Sequence, residues 1–174
     1  MRDMRTNQFA TARINPAWFD AIVPAPFGAV GVRLTGDKKS VFELTYLPDG
    51  TPVMRGETDL AQQVFAQVSD YLQNPAAAFD LPLIEQGTVF QNKVWQEISR
   101  IPHGHTLNYK VVGGLIGCGS PRAVGGACGA NPYPLIVPCH RVVAAGGIGG
   151  FAKHDDGFHI GVKQWLLAHE GVVY

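Results

Sequence analysis

A short segment made only of small residues most constrains how this chain can fold. Residues 123–130 contain only Ala, Val, Gly and Cys, and they lie between Ser120-Pro121 and Asn131-Pro132. Ser before Pro is typical of a helix start, and Asn-Pro of a helix end. Each glycine inside a helix costs roughly 1 kcal/mol relative to alanine. A helix that gives up stability for thinness lies close against a neighbouring helix or a nucleic-acid backbone.

A second helix is predicted immediately before this one. Asn108 can cap a helix over residues 109–116, and Gly117 can end it. Two short helices around a glycine-containing turn are typical of a helix-turn-helix. Arg122 then lies at the exposed start of the second helix, where phosphate groups are favoured.

The first half of the chain has a different pattern. Residues 28–34 and 40–47 alternate apolar and polar side chains around a turn, which predicts an antiparallel hairpin, with a further short strand near residues 51–54. Apolar residues then recur four apart in a helix that Thr58 or Asp59 can cap and Asn74-Pro75 stops. The predicted buried face of this helix is Leu60, Val64, Val68 and Leu72.

A connector over residues 74–87, with the boundary near residue 86, suggests two domains, 1–86 and 87–174. Thr88 and Gln91 form a capping-box pattern before a helix whose buried face is predicted to be Phe90, Val94 and Ile98. The last helix is predicted over residues 162–170. Residues 87–174 carry seven Lys/Arg against four Asp/Glu, a modest positive bias that suits an anionic partner.

The composition excludes several classes of protein. No apolar run approaches the roughly 20 residues of a membrane span, and the N-terminus lacks the apolar region of a secretory signal. The three cysteines include no Cys-x-x-Cys pair, so neither a disulfide framework nor a structural zinc site is expected. We expect a cytoplasmic protein, nucleoid-associated in a prokaryote, with no metal and no cofactor.

Cys139 is the candidate nucleophile. It stands between Pro138 and His140-Arg141, and a glycine-rich loop over residues 146–150 follows. The thiolate is the reactive form, and we expect the adjacent histidine and arginine to lower the pKa of the thiol. The alternative is a buried structural cysteine, because free cysteines are among the most buried residues. Cys118 and Cys128 have no adjacent histidine and are interpreted as packing residues.

A Cys-His pair usually needs a third group that orients the histidine. The candidates in the second half are Glu97, Asp155, Asp156 and Glu170, and the last of these ends an apolar helix. A metal site is an alternative use of His154, His159 and the two aspartates, but a solvated loop over residues 153–161 is the simpler interpretation.

Four motifs together resemble the O6-alkylguanine-DNA alkyltransferase family. They are GTVFQNKVWQEISRIPHGHTLNY, SPRAVGGACGANP, IVPCHRV and KQWLLAHEG, which occur in the family's order between residues 87 and 171. The resemblance implies an α/β protein. It would have a small N-terminal α/β domain with an antiparallel, ribonuclease H-like sheet and a C-terminal helical domain of winged-helix or helix-turn-helix type that carries the cysteine.

The resemblance also implies a reaction. The family moves an alkyl group from the O6 atom of guanine in double-stranded DNA to its own cysteine, here Cys139, once only, with O4-alkylthymine as a candidate second substrate. His140 would act on the sulfur through a water, and Glu170 would orient His140. Tyr109 matches the family tyrosine that donates to the leaving base, and Lys163 matches a lysine near the same site. These five residues form the predicted catalytic set. A monomer is expected.

DNA contacts are implied in the same way. The thin helix, with Ala123, Gly125 and Gly126, would enter the minor groove, and Arg122 would replace the flipped nucleotide in the base stack. Tyr109 would help to turn the phosphate. The remaining expected contacts with the substrate or the cysteine loop are Asn131, the carbonyls of Val137 and Cys139, Arg141, Phe151 and Ala152.

The sequence departs from the family pattern after the cysteine. Phe151 replaces a tyrosine, Ala152 can offer only its backbone N–H, and a longer loop separates both from Lys163. Two other classes remain as alternatives. Non-catalytic alkyltransferase-like proteins replace the cysteine, which is present here. A cysteine hydrolase of unrelated fold would turn over and would not need the helix-turn-helix.

Overall fold

The computed structural model describes residues 14–150 and 157–173, and the chain divides into two compact units, 1–84 and 85–174. Within the described ranges the protein is a mixed α/β structure with one three-stranded antiparallel sheet and five α-helices. In this part of the chain no helix is long and apolar enough to cross a membrane.

The first unit is built on the predicted hairpin, with one further strand. Strands β2 (Gly28–Leu34) and β3 (Val41–Leu47) pair as expected, and β1 (Ala21–Ala25) adds an edge that the sequence analysis missed. Pro24 is tolerated in β1 because an edge strand has unpaired positions. The strand expected near residues 51–54 is only a single bridge from Met54 to Ile22.

Helix α1 (Asp59–Gln73) covers this sheet. Thr58 caps it and Asn74 ends it, as predicted. Leu60, Val64 and Val68 are buried, but the fourth position is Tyr71 rather than Leu72. A spacing of four drifts off a face that repeats every 3.6 residues, which explains the shift.

Among its described residues, the second unit contains four α-helices. Helix α2 (Val89–Ile98) begins with the expected capping box, α3 (Tyr109–Leu115) is capped by Asn108, and α4 (Pro121–Gly129) is capped by Ser120. Val94 and Ile98 of α2 are buried as predicted, while Phe90 is only half-buried and Trp95 takes its place in the core.

Helix α5 (Gly157–His169) starts five residues earlier than predicted. Residues 157–161 therefore belong to the helix and not to the expected loop. The loop was expected because Phe151 and Lys163 are further apart than in the family pattern, but Gly157 and Gly161 do not adopt a positive φ and the helix includes both. The other residues of that expected loop, 153–156, lie outside the described residues.

Candidate functional site

The cysteine is positioned by a turn and a two-stranded parallel ladder. Cys139–Arg141 form one turn of 3-10 helix that leads into β5 (Val142–Val143). Strand β5 pairs with β4 (Leu107–Asn108), which runs directly into α3. Because the ladder aligns the two segments, the start of α3 with Tyr109 lies beside the cysteine turn.

Asn131 holds the sulfur. Its side-chain nitrogen donates to Sγ of Cys139 at 3.1 Å and to the carbonyl of Val137 at 2.9 Å, and its side-chain oxygen accepts from the backbone of Tyr133 at 2.8 Å. The amide is therefore fixed in one orientation. The carbonyl of Val137 also accepts from the backbone of Cys139 at 2.8 Å, so both of its lone pairs are used. Its role as an acceptor for guanine stays a prediction.

The third group of the predicted triad is Glu170. Its carboxylate accepts a hydrogen bond from Nε2 of His140 at 2.8 Å, and both side chains are fully buried. Of the other candidates, Glu97 pairs instead with Arg100 on the surface, and Asp155 and Asp156 lie outside the described residues. The residue pattern by itself left the four open, because the fold brings together residues 30 positions apart, and only the family resemblance pointed to Glu170.

Arg141 fixes this carboxylate. Its Nε and Nη2 atoms each donate to Glu170 at 2.9 Å, and Nη1 donates to the carbonyl of Ile101 at 2.6 Å. The backbone of Gly104 adds a longer hydrogen bond of 3.4 Å to Glu170. Arg141 is therefore a positioning residue for Glu170, and its contact with the substrate stays a prediction. Ile101 and Gly104 were not anticipated, because backbone groups leave no signal in the sequence.

The titration of Cys139 and His140 differs from the expectation. A hydrogen bond with the Cys128 side chain, together with burial, raises the pKa of Cys139 well above that of a free thiol, despite opposing effects of Asn131 and Lys163. Cys139 is thus a thiol at neutral pH, and the predicted lowering of its pKa is wrong. Burial lowers the pKa of His140. The imidazole is neutral and can accept a proton.

The orientation of the imidazole follows from its partners. Glu170 is acceptor-only, so Nε2 of His140 carries the hydrogen and Nδ1 is the basic nitrogen. Nδ1 is buried and has no hydrogen-bond partner among the described residues. A neutral base with one unused lone pair, next in sequence to an un-ionised thiol, suits proton transfer from that thiol.

Lys163 and Tyr109 form the other side of the site. Nζ of Lys163 donates to the carbonyls of Val142 at 2.8 Å and Gly150 at 2.9 Å, and it lies 5.9 Å from the centre of the Tyr109 ring. Burial lowers the pKa of Lys163 to about 8 and raises that of Tyr109 to about 12. Both side chains can therefore donate a proton or hydrogen bond at neutral pH.

Val124 and Ala127 of α4 are buried, whereas Gly125 and Gly126 have space around them. An added Cβ at Gly126 would meet nothing within 4 Å, and one at Gly125 would only touch the Tyr109 ring at 4.0 Å. The tight contact occurs instead at Gly113 of α3, where a Cβ would lie 2.6 Å from the carbonyl of Cys118 in the turn between the two helices. Packing within the chain thus does not explain the two glycines of α4. Arg122 is exposed at the start of this helix.

Some predicted site residues remain outside this account. Phe151, Ala152 and His154 lie outside the described residues, and His159 is in α5 with its ring against Phe158. No group of three metal-binding side chains occurs among residues 14–150 and 157–173.

A family model for the DNA-binding domain of 6-O-methylguanine DNA methyltransferase matches residues 89–172. The methylated-DNA–protein-cysteine methyltransferase of Mus musculus is 34% identical over 83% of this chain and 72% of its own length. Among solved structures, the O6-methylguanine methyltransferase of Mycobacterium tuberculosis aligns with a TM-score of 0.69 and 30% identity, over 86% of this chain and 90% of that one. The Mycobacterium tuberculosis protein OGT in complex with DNA aligns over the same shares with a TM-score of 0.67 and 30% identity.

Proposed function

Because the chain belongs to the methylated-DNA–protein-cysteine methyltransferase family, we propose that it repairs DNA by moving an alkyl group from O6 of guanine to its own Cys139. The observation that carries this proposal is the array behind the sulfur. Cys139 is held by Asn131, and the adjacent His140 is locked by Glu170 at 2.8 Å. Such an array activates a thiol that is not ionised at rest.

The reaction starts with proton transfer. The Cys139 thiol gives its proton to Nδ1 of His140 through a water, and the resulting imidazolium is stabilised by the Glu170 carboxylate. Sγ then attacks the alkyl carbon, so an S–C bond forms while the C–O6 bond breaks. The product is a thioether, which water does not cleave, and each molecule therefore acts once.

The leaving guanine takes the electron pair of the broken bond. Negative charge develops on the base, and donors that face it stabilise the transition state. Tyr109 keeps its hydroxyl proton because its pKa is about 12, and Lys163, with a pKa of about 8, holds a proton that it can share. Their shared position beside the cysteine turn supports both as donors to the base.

The thin helix α4 would lie in the minor groove. A groove about 6 Å wide admits few side chains, and the outward glycines 125 and 126 leave none to insert. The target atom lies inside a duplex, so the nucleotide must be flipped out. Arg122, exposed at the start of the helix, would fill the gap in the stack, and Ala123 would line the same face. The positive bias of residues 87–174 favours the phosphates.

The finer assignments belong to the same proposal. Residues 87–174 would form the DNA-binding and alkyl-transfer domain of winged-helix or helix-turn-helix type, and residues 1–86 a ribonuclease H-like domain. O4-alkylthymine is a candidate second substrate. The protein would act as a cytoplasmic monomer.

Intact-mass measurement tests the proposal. Incubation with duplex DNA that contains O6-methylguanine should add one methyl group and no more, however large the excess of DNA. Trypsin leaves Cys128 and Cys139 together in residues 123–141, so fragment spectra must place the methyl on Cys139. Cys139→Ser should gain no methyl, whereas Cys118→Ser should behave as the wild type.

Three outcomes would contradict the proposal. Repeated turnover would indicate a hydrolase. Methylation of Cys118 or Cys128 would show that Cys139 is not the nucleophile. A folded, DNA-binding protein that gains no methyl would indicate a non-catalytic lesion binder.

A further inference from the structure

Tyr133 lies in the loop that leads to the cysteine, and the proposed reaction gives it no role. Its backbone N–H donates to the side-chain oxygen of Asn131 at 2.8 Å, and its carbonyl accepts from the backbone of Val137 at 2.8 Å. The nitrogen of the same Asn131 amide donates to Sγ of Cys139 at 3.1 Å. The backbone of Tyr133 therefore bonds both the side chain that holds the sulfur and the segment that leads to it.

The side chain of Tyr133 is anchored at its far end. The residue is buried, and its hydroxyl accepts a hydrogen bond from Nε2 of Gln86 at 2.9 Å. Gln86 is fixed in turn, because its carbonyl accepts from Nδ2 of Asn92 at 3.0 Å and the same nitrogen donates to the carbonyl of Thr88 at 2.9 Å. A line of hydrogen bonds therefore runs from the start of α2 through Tyr133 to Cys139.

The loop depends on this anchor because its backbone is strained. Leu135, two residues after Tyr133, adopts a φ of 76° and is 3% exposed. A left-handed conformation costs a leucine free energy and persists only where the surrounding structure imposes it. Tyr133 holds the start of this bend, and Val137, whose backbone N–H bonds the Tyr133 carbonyl, holds its end.

We propose that Tyr133, anchored by Gln86, is a positioning residue that keeps the amide of Asn131 directed at Sγ of Cys139 during alkyl transfer. The inference rests on the proposed function, because it assigns a further residue to that reaction. The family resemblance gave neither Tyr133 nor Gln86 a role.

The hydrogen bond from Asn131 matters most when negative charge develops on the sulfur. A hydrogen bond to an ionised group is stronger than one to a neutral group. A hydrogen bond with Cys128 and burial raise the pKa of Cys139, and the hydrogen bond from Asn131 opposes them. When the anchor is lost, the amide can turn away from the sulfur, so the pKa of Cys139 rises further and transfer slows.

Two single substitutions test the anchor from its two sides. Tyr133→Phe keeps the ring and removes the hydroxyl, and Gln86→Leu removes the donor. Each variant should slow single-turnover methyl transfer per folded molecule by about 3- to 10-fold, the effect expected from the loss of one hydrogen bond. Its affinity for duplex DNA should not change. The double variant should be no slower than the slower single variant, because both substitutions break the same bond.

A second readout does not require alkyl transfer. The rate at which iodoacetamide labels Cys139 would be measured on the tryptic peptide 123–141, with fragment spectra that separate Cys139 from Cys128. Below its pKa a thiol reacts through the fraction present as thiolate. At a fixed pH below that pKa, Tyr133→Phe and Gln86→Leu should therefore label about 3- to 10-fold more slowly. A variant that is only destabilised would open more often and would label the buried Cys139 faster.

Tyr71→Phe is the matched control. It removes the hydroxyl of another buried tyrosine, which is 1% exposed and belongs to α1 in the first unit. Its transfer rate and its labelling rate at Cys139 should equal those of the wild type. Cys118, in the tryptic peptide 111–122, is the internal reference, and its labelling rate should be the same in every protein.

The proposal is overturned if either single variant transfers and labels at the wild-type rate, or if Cys139 is labelled faster. It is also overturned if the double variant slows by the product of the two single effects. The labelling rates separate this inference from the proposed function. If the wild type gained no methyl group while both variants still labelled Cys139 more slowly, the repair function would fail and the positioning of Cys139 would stand.

Discussion

The two units of this chain bury different kinds of side chain. Among the described residues of the 1–84 unit, the buried side chains are hydrophobic, and the sheet and α1 supply them. The 85–174 unit buries His140, Lys163 and Glu170 as well as its own apolar residues. The 85–174 unit therefore buries polar groups of the proposed reaction, and their burial lowers its folding stability.

The physical reason lies in desolvation. Apolar burial stabilises a fold by roughly 25 cal/mol for each Å² removed from water. Burial of a charge costs free energy unless partners replace the lost water. Glu170 accepts hydrogen bonds from three residues, so its partners make a buried carboxylate tolerable. The burial in the first unit is accounted for by the apolar area removed from water. The burial in the second unit also depends on hydrogen bonds that are correctly oriented toward each buried polar group.

The largest effect is expected from Glu170→Gln. The amide keeps the shape but removes the charge that stabilises the imidazolium of His140 and pairs with Arg141. We expect the single-turnover rate of methyl transfer to fall by about 10²–10⁴-fold, the contribution typical of a general base. The free energy of unfolding should fall by about 3–5 kcal/mol, because a buried charge loses its partner.

Glu97→Gln is the matched control. Glu97 pairs with an exposed arginine at 2.9 Å on the surface of the same unit, and such pairs contribute about 0–1 kcal/mol. Its transfer rate should equal that of the wild type. The rate of Glu170→Gln must be measured per folded molecule and as a function of pH, since a purely structural role would leave both unchanged. Equal rates in the two variants would refute the positioning role.

The intermediate effect is expected from Leu44→Ala in the first unit. Leu44 is 3% exposed, and truncation of a buried leucine costs about 2–5 kcal/mol through the cavity that it leaves. The transfer rate per folded molecule should not change. Leu166→Ala in α5, equally buried and three residues from Lys163, should lower both stability and rate. If Leu44→Ala slowed transfer as strongly as Leu166→Ala does, the proposal that only the second unit carries the reaction would be wrong.

The same contrast explains what the sequence could predict. The caps Thr58, Thr88, Asn108 and Ser120 were predicted because each side chain bonds the backbone three residues ahead. Because both partners of such a hydrogen bond lie within a few residues of each other, the sequence predicts it. The hairpin and the apolar faces of the helices have the same origin, since periodicity alone determines them.

The arrangement of the site was less predictable. The residues were named, but the raised pKa of Cys139 depends on Cys128, which only the folded chain brings near. Arg141 was expected to add positive charge beside the thiol, but the sequence did not indicate that its side chain bonds Glu170. Leu135 adopts a φ of 76° just before the cysteine turn. Such strain for a leucine persists only where the surrounding structure imposes it, so no local pattern predicts it.

The smallest effect is the pH dependence that the buried Lys163 gives to the free energy of unfolding. Burial lowers its pKa from 10.5 to about 8, although two carbonyls accept from its nitrogen. Between those values the unfolded chain binds more protons than the folded one, so the free energy of unfolding rises with pH. From about pH 7 to about pH 9 this group alone should add about 1 kcal/mol.

Urea unfolding at both pH values measures this gain. Cys139 acts in the opposite direction, because its raised pKa lets the unfolded thiol ionise first. The informative quantity is therefore a difference between variants. Lys163→Met should lose this rise in the free energy of unfolding with pH. Lys93 is exposed on α2, so Lys93→Met should keep the rise. The same pH dependence in both variants would mean that the Lys163 ammonium remains well solvated, and the polar burial that sets the second unit apart would then rest on His140 and Glu170 alone.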